Sequence, residues 1–386
     1  MKRILKLLLS LLIIIFVVLA ACVQTSAAYE DEQELHDYYS SQLDKSGADE
    51  LYYDLPNEAK ESLNDMGINS LSWEQLNQLS VGAVMLEVIN LLGESSVQPL
   101  ACMLAVLGII IFCALSDCFS TSLGESPLNG TVAVITALGL SAVLVFPVSQ
   151  TLLGGVGAIE TGCGFMLVYV PVMAGILIAS GSSITGAGYY TTVMTAGEII
   201  SQIASKLLSP ALNILLGITV VSSLCRKVKL NGIINLVYSV FKWVVTFMMS
   251  IFVSVLSFQT FIGNAADNTG VKAAKLAISS FVPVVGGALS DAFLTVQSSL
   301  RLLKSGVGVF AILATAALYL PAILKCVIWL FTLSCCSAAA EVFSLDAPLC
   351  LLKGVKKVVT LLLALLLCCM TVMIISTAIL LILGGS

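Results

Sequence analysis

The sequence predicts an all-α polytopic membrane protein with an internal repeat of proline-broken helices and a small helical extracytoplasmic N-terminal domain. Of its 386 residues 58% are hydrophobic and only 11% are charged, whereas soluble proteins carry roughly 25% charged residues. So few charges cannot cover a water-exposed surface of this size, so lipid must be the solvent for most of the chain. This composition excludes a soluble cytosolic enzyme.

The N-terminus has the layout of a signal peptide over residues 1–28. A basic start precedes an apolar run over residues 7–21, and small residues follow. Three fates fit this pattern: cleavage near Ala28, retention as an anchor, or lipidation at Cys22, which follows a Leu-Ala-Ala triplet. In each case the residues that follow are exported.

Residues 29–95 form the predicted acidic extracytoplasmic domain, because residues 29–94 hold 15 acidic and 2 basic side chains. Acids near Pro56 and a glycine at position 67 delimit one predicted helix. Ser72 and Gln75 have the spacing of a capping box, which predicts a further helix over residues 73–92. The acids lack the spacing of an EF-hand and His36 is the single histidine, so we predict a solvated acidic face with no metal and no cofactor.

The remaining chain contains apolar segments long enough to cross about 30 Å of hydrocarbon. Six are clear, namely residues 97–119, 130–153, 162–180, 233–263, 277–300 and 358–383. Four more, residues 184–206, 207–224, 306–320 and 322–343, could be crossings or re-entrant hairpins. The sequence therefore predicts six to ten crossings.

Three short strings recur in the same order at nearly one offset. Residues 169–175, 207–212 and 242–246 resemble residues 281–287, 318–323 and 356–360. The predicted regions are two first transmembrane helices over 96–160, repeat 1 over 161–264 and repeat 2 over 265–386. With the acidic domain outside and four segments per repeat, the basic clusters at 226–229, 301–304 and 353–357 all lie on the cytoplasmic side and the C-terminus lies outside.

Two sets of residues are candidates for a role within the membrane. The helix-break candidates are Pro171, Pro210, Pro283 and Pro321, since paired breaks in two repeats mark the substrate sites of secondary transporters. The polar or pore-facing candidates are Glu198, Asp291 and Glu341, because ionisable groups at membrane depth are costly. The alternatives are that proline is simply common in membrane helices and that Glu198 is solvated on an interfacial helix.

Catalytic chemistry has little support in the sequence. We find no nucleophile paired with a base, no metal-ligand cluster and no phosphate-binding loop ending in Gly-Lys-Ser/Thr. The sequence therefore predicts a protein that is not an enzyme and does not bind nucleic acid.

Three strings resemble the stage III sporulation protein AE family of endospore-forming bacteria. They are residues 55–63 (LPNEAKESL), residues 179–188 (ASGSSITGAG) and residues 352–357 (LKGVKK) before the last span. The resemblance covers nearly the whole chain, although the Cys22 pattern is not a feature of the family. The resemblance implies that the chain is a sporulation protein, but it does not identify an active site.

The resemblance further implies a place in the multiprotein complex that joins mother cell and forespore. The protein would lie in the outer forespore membrane, in contact with lipid and other stage III subunits and reaching its forespore-side partner indirectly, with its N-terminal domain in the intermembrane space. The family is expected to contribute to a channel or feeding apparatus for late forespore development. Two other hypotheses stay open, an autonomous secondary transporter and a scaffold that conducts nothing.

Overall fold

The computed structural model describes residues 32–72, 75, 81–122, 128–224, 231–281 and 286–383. Three short helices form the N-terminal module: α1 (Glu32–Ser46), α2 (Glu50–Tyr53) and α3 (Asn57–Asp65). The body comprises α4 (Val81–Ser122), α5 (Leu128–Ala179), α6 (Ser183–Gln202), a π-helical segment (Ile203–Leu208), α7 (Ser209–Leu224), α8 (Asn231–Phe281), α9 (Gly286–Val342) and α10 (Asp346–Leu383).

The all-α polytopic prediction is confirmed. The described residues contain no strand, and six helices among them are long and apolar enough to cross a membrane. These spans are Gly82–Ser116, Val134–Ala179, Ser183–Leu224, Gly232–Asp267, Ser299–Val342 and Asp346–Leu381. The third span combines α6, the π-helical segment and α7 into one continuous helix.

Several segments that the sequence separates are joined in the structure. The predicted spans 130–153 and 162–180 both belong to α5 apart from residue 180, while α9 includes most of 277–300, all of 306–320 and residues 322–342. The glycines around position 155 lower helix propensity, but they also admit close neighbours: a Cβ on Gly162 would lie 2.1 Å from Tyr319 Oη. Close packing thus stabilises a helix that local propensity alone would interrupt.

The body helices are longer than one bilayer requires. With 52 residues in α5 and 57 in α9, a rise of about 1.5 Å per residue gives lengths of roughly 78 and 86 Å. A crossing of the hydrocarbon core needs only about 20 residues. The predicted region boundaries after residues 95, 160 and 264 fall inside α4, α5 and α8, so continuous helices join the regions.

The core of the body is built on the antiparallel pair α9 and α10. The most apolar stretches of these two helices are each 67% buried, against 11% for α8. The largest fully buried side chains include Trp329 and Phe310 of α9. α5 and α10 run in the same direction, because Gly155 approaches Leu362 and the Tyr169 hydroxyl contacts Thr377 Oγ1 at 3.4 Å.

The N-terminal module has its own small core and packs against the body. Leu51, Leu63 and Ile68 are fully buried, and the Tyr39 hydroxyl donates a 2.9 Å hydrogen bond to the Leu71 carbonyl. Burial raises the pKa of Tyr39 above its ordinary value, so this phenol stays protonated and can keep donating. The same ring lies directly against Gly306 of α9.

The predicted capping box is wrong in the bond assigned to Gln75, while the bond predicted for the Ser72 hydroxyl stays a prediction. Instead of reaching back to Ser72, the Gln75 side-chain oxygen accepts 3.0 Å bonds from the backbone N–H groups of Asn69 and Ser70. Most of residues 73–80 lies outside the described residues, so the start of the predicted helix there does too.

The prediction that all strong basic clusters share one side is also wrong. Lys357 lies in the N-terminal third of α10 (Asp346–Leu383), where its Nζ donates a 2.5 Å bond to Asn235 Oδ1. Gly308, next to Lys304, instead contacts Leu381 at the far end of α10. Because α9 is one helix rather than three segments, Arg301 and Lys304 lie at the opposite end of the bundle from Lys357, on the same flank as Tyr39.

In two helical hairpins, α5–α6 and α9–α10, the first helix ends in a left-handed turn of the Schellman type. In the α5–α6 turn Gly181 has φ +88°, and the Ser182 and Gly181 N–H groups bond to the carbonyls of Leu177 and Ile178 at 2.9 and 3.1 Å. In the α9–α10 turn the equivalent position is Ser344, with φ 55°. Glycine adopts this conformation freely, whereas a residue with a Cβ is strained there.

We therefore expect opposite effects from matched substitutions in these turns. Gly181→Ala should lower the free energy of unfolding by about 1 kcal/mol, and Ser344→Gly should raise it by about 0.5 kcal/mol. Unfolding in mixed detergent micelles measures both. Equal effects of the same sign would contradict the assignment of these turns.

Candidate functional site

The N-terminus of α6 is capped by a carboxylate from another helix. Asp267 of α8 is 9% exposed, and its two side-chain oxygens accept bonds from the backbone N–H groups of Ile184 at 3.0 Å and Thr185 at 2.9 Å. The N–H groups of a helix's first turn point out of its N-terminus, and the helix dipole favours negative charge at this position. Asp267 thus fixes the C-terminal part of α8 to the start of α6.

Two further contacts continue this junction along the same pair of helices. A Cβ on Gly263 would lie 2.7 Å from Thr185 Oγ1 and 2.9 Å from its Cα, so the two backbones approach closely. One turn farther, Thr192 Oγ1 bonds to Gln259 Oε1. Gln259, Gly263 and Asp267 are four residues apart, so they line one face of α8. We call the contacts of these three residues with α6 the α6–α8 zipper.

An open groove lies beside the α6–α8 zipper. Its volume is about 1150 Å³. Its lining is mostly apolar. Small and hydroxyl-bearing residues of α6, such as Ala187, Thr191 and Thr195, form one wall. Larger residues of α8, such as Val255, Phe258 and Gln259, form the other. The Gln259 amide nitrogen has no hydrogen-bond acceptor among the described residues. An amide donor at membrane depth without an acceptor is costly.

The helix that forms the outer wall of the groove is the least covered of the six spans. Phe258 and Phe261 are both 69% exposed, and Trp243 stacks on Phe247 with ring centroids 5.2 Å apart. Lipid suffices to cover such apolar side chains, but it offers no acceptor to Gln259. The groove is therefore suited to a partner that combines an apolar surface with a polar group.

The polar residues singled out from the sequence are not brought together. Glu198 is exposed on α6, where Gln202 Nε2 contacts its carboxylate at 3.5 Å. Glu341 forms a 2.6 Å ion pair with Lys353 across the α9–α10 turn, and both side chains are about half exposed. Asp291 belongs to the part of α9 whose side chains lie outside the described set, and Cys22 lies outside the described residues. A pore-facing role for these residues stays a prediction.

The four candidate proline positions differ from one another. The helix continues through Pro171 in α5 and Pro321 in α9, so the chain is not interrupted at either residue. Pro210 is the second residue after the π-helical segment. A proline clashes with the carbonyl four residues before it, here Lys206, and a widened turn accommodates that clash. Pro283 lies outside the described residues.

Two of the strings that carry the family resemblance occupy tight helix junctions. Residues 179–188 form the α5–α6 turn and the first contacts of the α6–α8 zipper. At the other end of the bundle, a Cβ on Gly354 would lie 2.2 Å from Thr219 Cγ2, and Lys357 reaches Asn235. Residues 352–357 thus join α10 to α7 and α8. Both strings are explained by packing and hydrogen bonding.

Comparison with known proteins supports the family resemblance that these strings carry. The family described as Stage III sporulation protein AE matches residues 67–384, which include all six apolar helices. The chain belongs to the stage III sporulation protein AE family. The resemblance predicted from the sequence is confirmed, and membership of this family assigns the chain a role in sporulation.

One curated relative is the protein named Stage III sporulation protein AE of Bacillus subtilis (strain 168). It is 22% identical to this chain over 202 residues. The match covers 52% of this chain and 51% of the relative, so the chain spans about half the length of the curated relative it matches. No solved structure matches the chain.

The α6–α8 zipper could not be read from the sequence as a site. Residues 264–270 contain two asparagines, an aspartate and a glycine, which favours a loop after the span predicted at 233–263. One signal does exist: Gln259, Gly263 and Asp267 recur every four residues, which is the spacing of one helix face. Among the described residues no group of three His, Cys, Asp or Glu side chains could hold a metal ion.

Proposed function

We propose that this protein is an integral membrane subunit of the sporulation complex that joins mother cell and forespore, and that the groove beside the α6–α8 zipper receives a transmembrane helix of another subunit. It would act in the outer forespore membrane, with its N-terminal module in the intermembrane space, and contribute to a channel needed for late forespore development. The single observation that carries the proposal is the family match over residues 67–384.

The geometry supports assembly through α8. Its most apolar stretch is 11% buried, whereas those of α9 and α10 are 67% buried. The groove offers small residues that allow close helix approach, together with the Gln259 amide as a donor. A helix with an apolar face and a carbonyl or hydroxyl acceptor would complete both requirements.

The chain offers two phenylalanines that form a matched pair for a test. Phe258 lines the groove and is 69% exposed, while Phe146 of α5 is 67% exposed and lies away from the groove. Replacing each in turn with the photoreactive analogue p-benzoylphenylalanine in sporulating cells should give, from position 258 alone, an adduct with another stage III membrane subunit. Mass spectrometry identifies the adduct.

Two results would contradict the proposal. Adducts from position 258 that contain only lipid or a second copy of this chain would show that no other subunit enters the groove. Unchanged yields of heat-resistant spores after deletion of the gene would remove the sporulation role itself. Substrate flux through liposomes that contain this protein alone would instead support the transporter hypothesis.

A further inference from the structure

A second cavity lies between the N-terminal module and the body. Its volume is about 690 Å³, and it is bounded by the first turn of α3 and by segments of α4, α5 and α9. Its charged and amide-bearing lining residues are Glu58, Glu94, Gln98, Gln150 and Lys325. Neither the zipper nor the groove includes any of these residues.

Opposite charges line this cavity without pairing. Glu58 of α3 and Glu94 of α4 carry carboxylates, and Lys325 of α9 carries an ammonium group. Among the described residues, Lys325 forms no ion pair with either glutamate. Gln98 Nε2 and Gln150 Oε1 are 3.4 Å apart, so a side-chain amide pair links α4 and α5 within the lining. Separated charges of both signs around one cavity are complementary to a ligand that itself carries both.

The position of the cavity further restricts the ligand. The polar module forms one side, and apolar residues of the body such as Val97, Ala101 and Leu318 form much of the other. A polar surface that meets an apolar one in this way is typical of the level of lipid head groups. Moreover, a cavity of about 690 Å³ falls in the range of roughly 300–1000 Å³ that holds drug-sized ligands, so a free amino acid would leave most of it unfilled.

We propose that this cavity binds the head group of an ethanolamine phospholipid. The lipid ammonium group would donate hydrogen bonds to the carboxylates of Glu58 and Glu94, and the lipid phosphate would accept from Lys325. The apolar lining residues would contact the first carbons of an acyl chain. The chemistry required is a primary ammonium and an anionic group a few bonds apart, which a free amino acid shares.

This chemistry predicts selectivity among lipids. A choline head group has no N–H donor for the carboxylates, and a glycerol head group has no positive charge to offset them. We therefore expect dioleoylphosphatidylethanolamine to bind the purified full-length protein at least tenfold more tightly than the corresponding choline and glycerol lipids. Native mass spectrometry and lipid-dependent shifts in Tm in detergent measure this preference.

Substitutions in the lining test which residues provide it. Lys325→Met and Glu94→Gln should each reduce the ethanolamine preference about tenfold, whereas Lys325→Arg, which keeps the charge, should retain it. Lys242→Met and Glu50→Gln are the matched controls, because these exposed side chains do not line the cavity and should leave the preference unchanged. Should Lys325→Met fail to fold, Lys325→Arg and Glu94→Gln still decide the question.

The outcomes separate the two sources of this chemistry. A shift in Tm with free glycine but not with the lipid would overturn the lipid proposal and assign the cavity to a soluble zwitterion. Equal binding of the three lipids, or an ethanolamine preference that survives both Lys325→Met and Glu94→Gln, would overturn the proposal.

Discussion

Replacing Asp267 with alanine should lower the free energy of unfolding by about 3 kcal/mol. The substitution removes two charge-assisted hydrogen bonds, one to the buried N–H group of Thr185 and one to the partly buried N–H group of Ile184. Bonds to charged groups contribute roughly 1.5–3 kcal/mol, and an unsatisfied buried donor adds its desolvation cost. Unfolding in mixed detergent micelles gives the free energy, and hydrogen exchange at Ile184 and Thr185 locates the change.

Asp346→Ala is the matched control for this experiment. Asp346 also stands in the first turn of a helix, but its side chain is exposed, so its loss should cost at most about 0.5 kcal/mol. Asp267→Asn should fall between wild type and Asp267→Ala, since its carbonyl oxygen still accepts one bond without the charge. Unchanged exchange at Ile184 in Asp267→Ala would contradict the cap.

Replacing Gly162 with alanine should be almost as damaging, although it adds a single methyl group. The new Cβ would lie 2.1 Å from Tyr319 Oη and 2.4 Å from Cζ, and Tyr319 is only 1% exposed, so its ring has little room to move. Overpacking of this kind costs about 1–3 kcal/mol. We therefore expect a loss of about 2 kcal/mol in the free energy of unfolding, measured in the same micelles.

A neighbouring glycine of the same helix serves as the control. A Cβ on Gly164 meets nothing within 4 Å, so Gly164→Ala should leave stability unchanged or raise it through better helix propensity. In a Tyr319→Leu background the cost of Gly162→Ala should fall by at least half, because the obstructing ring is gone. Equal costs in both backgrounds would show that Gly162 and Tyr319 are not coupled.

The fold class could be predicted because it depends on composition and segment length. The count of separate helices could not, because it depends on contacts distant in sequence. Gly155 and Gly162 read as a break between two spans, yet Leu362 and Tyr319 pack against them and α5 continues. Merging of the predicted segments of α9 then changed the side on which Arg301 and Lys304 lie. The positive-inside rule assigns a loop to the correct side only when the number of crossings before that loop is correct.

The candidate site also contains contacts that the sequence could not predict. The cost of ionisable residues in lipid predicts roles for Glu198 and Glu341, but the structure places both at exposed positions. Asp267 escaped because its local sequence resembles a loop, and only the approach of α6 turns its carboxylate into a cap. Hydrogen bonds between a side chain and backbone N–H groups 82 or more residues away leave no local signal in a single sequence.

The four-residue spacing of the α6–α8 zipper restricts how these two helices can move. Asp267 engages the end of α6, Gly263 admits the backbone at Thr185, and Gln259 meets Thr192, so sliding by one turn would break all three contacts at once. A small continuous slip is excluded, because packed interfaces switch between discrete arrangements. Rotation of α6 about its capped N-terminus would widen the groove while keeping both Asp267 bonds.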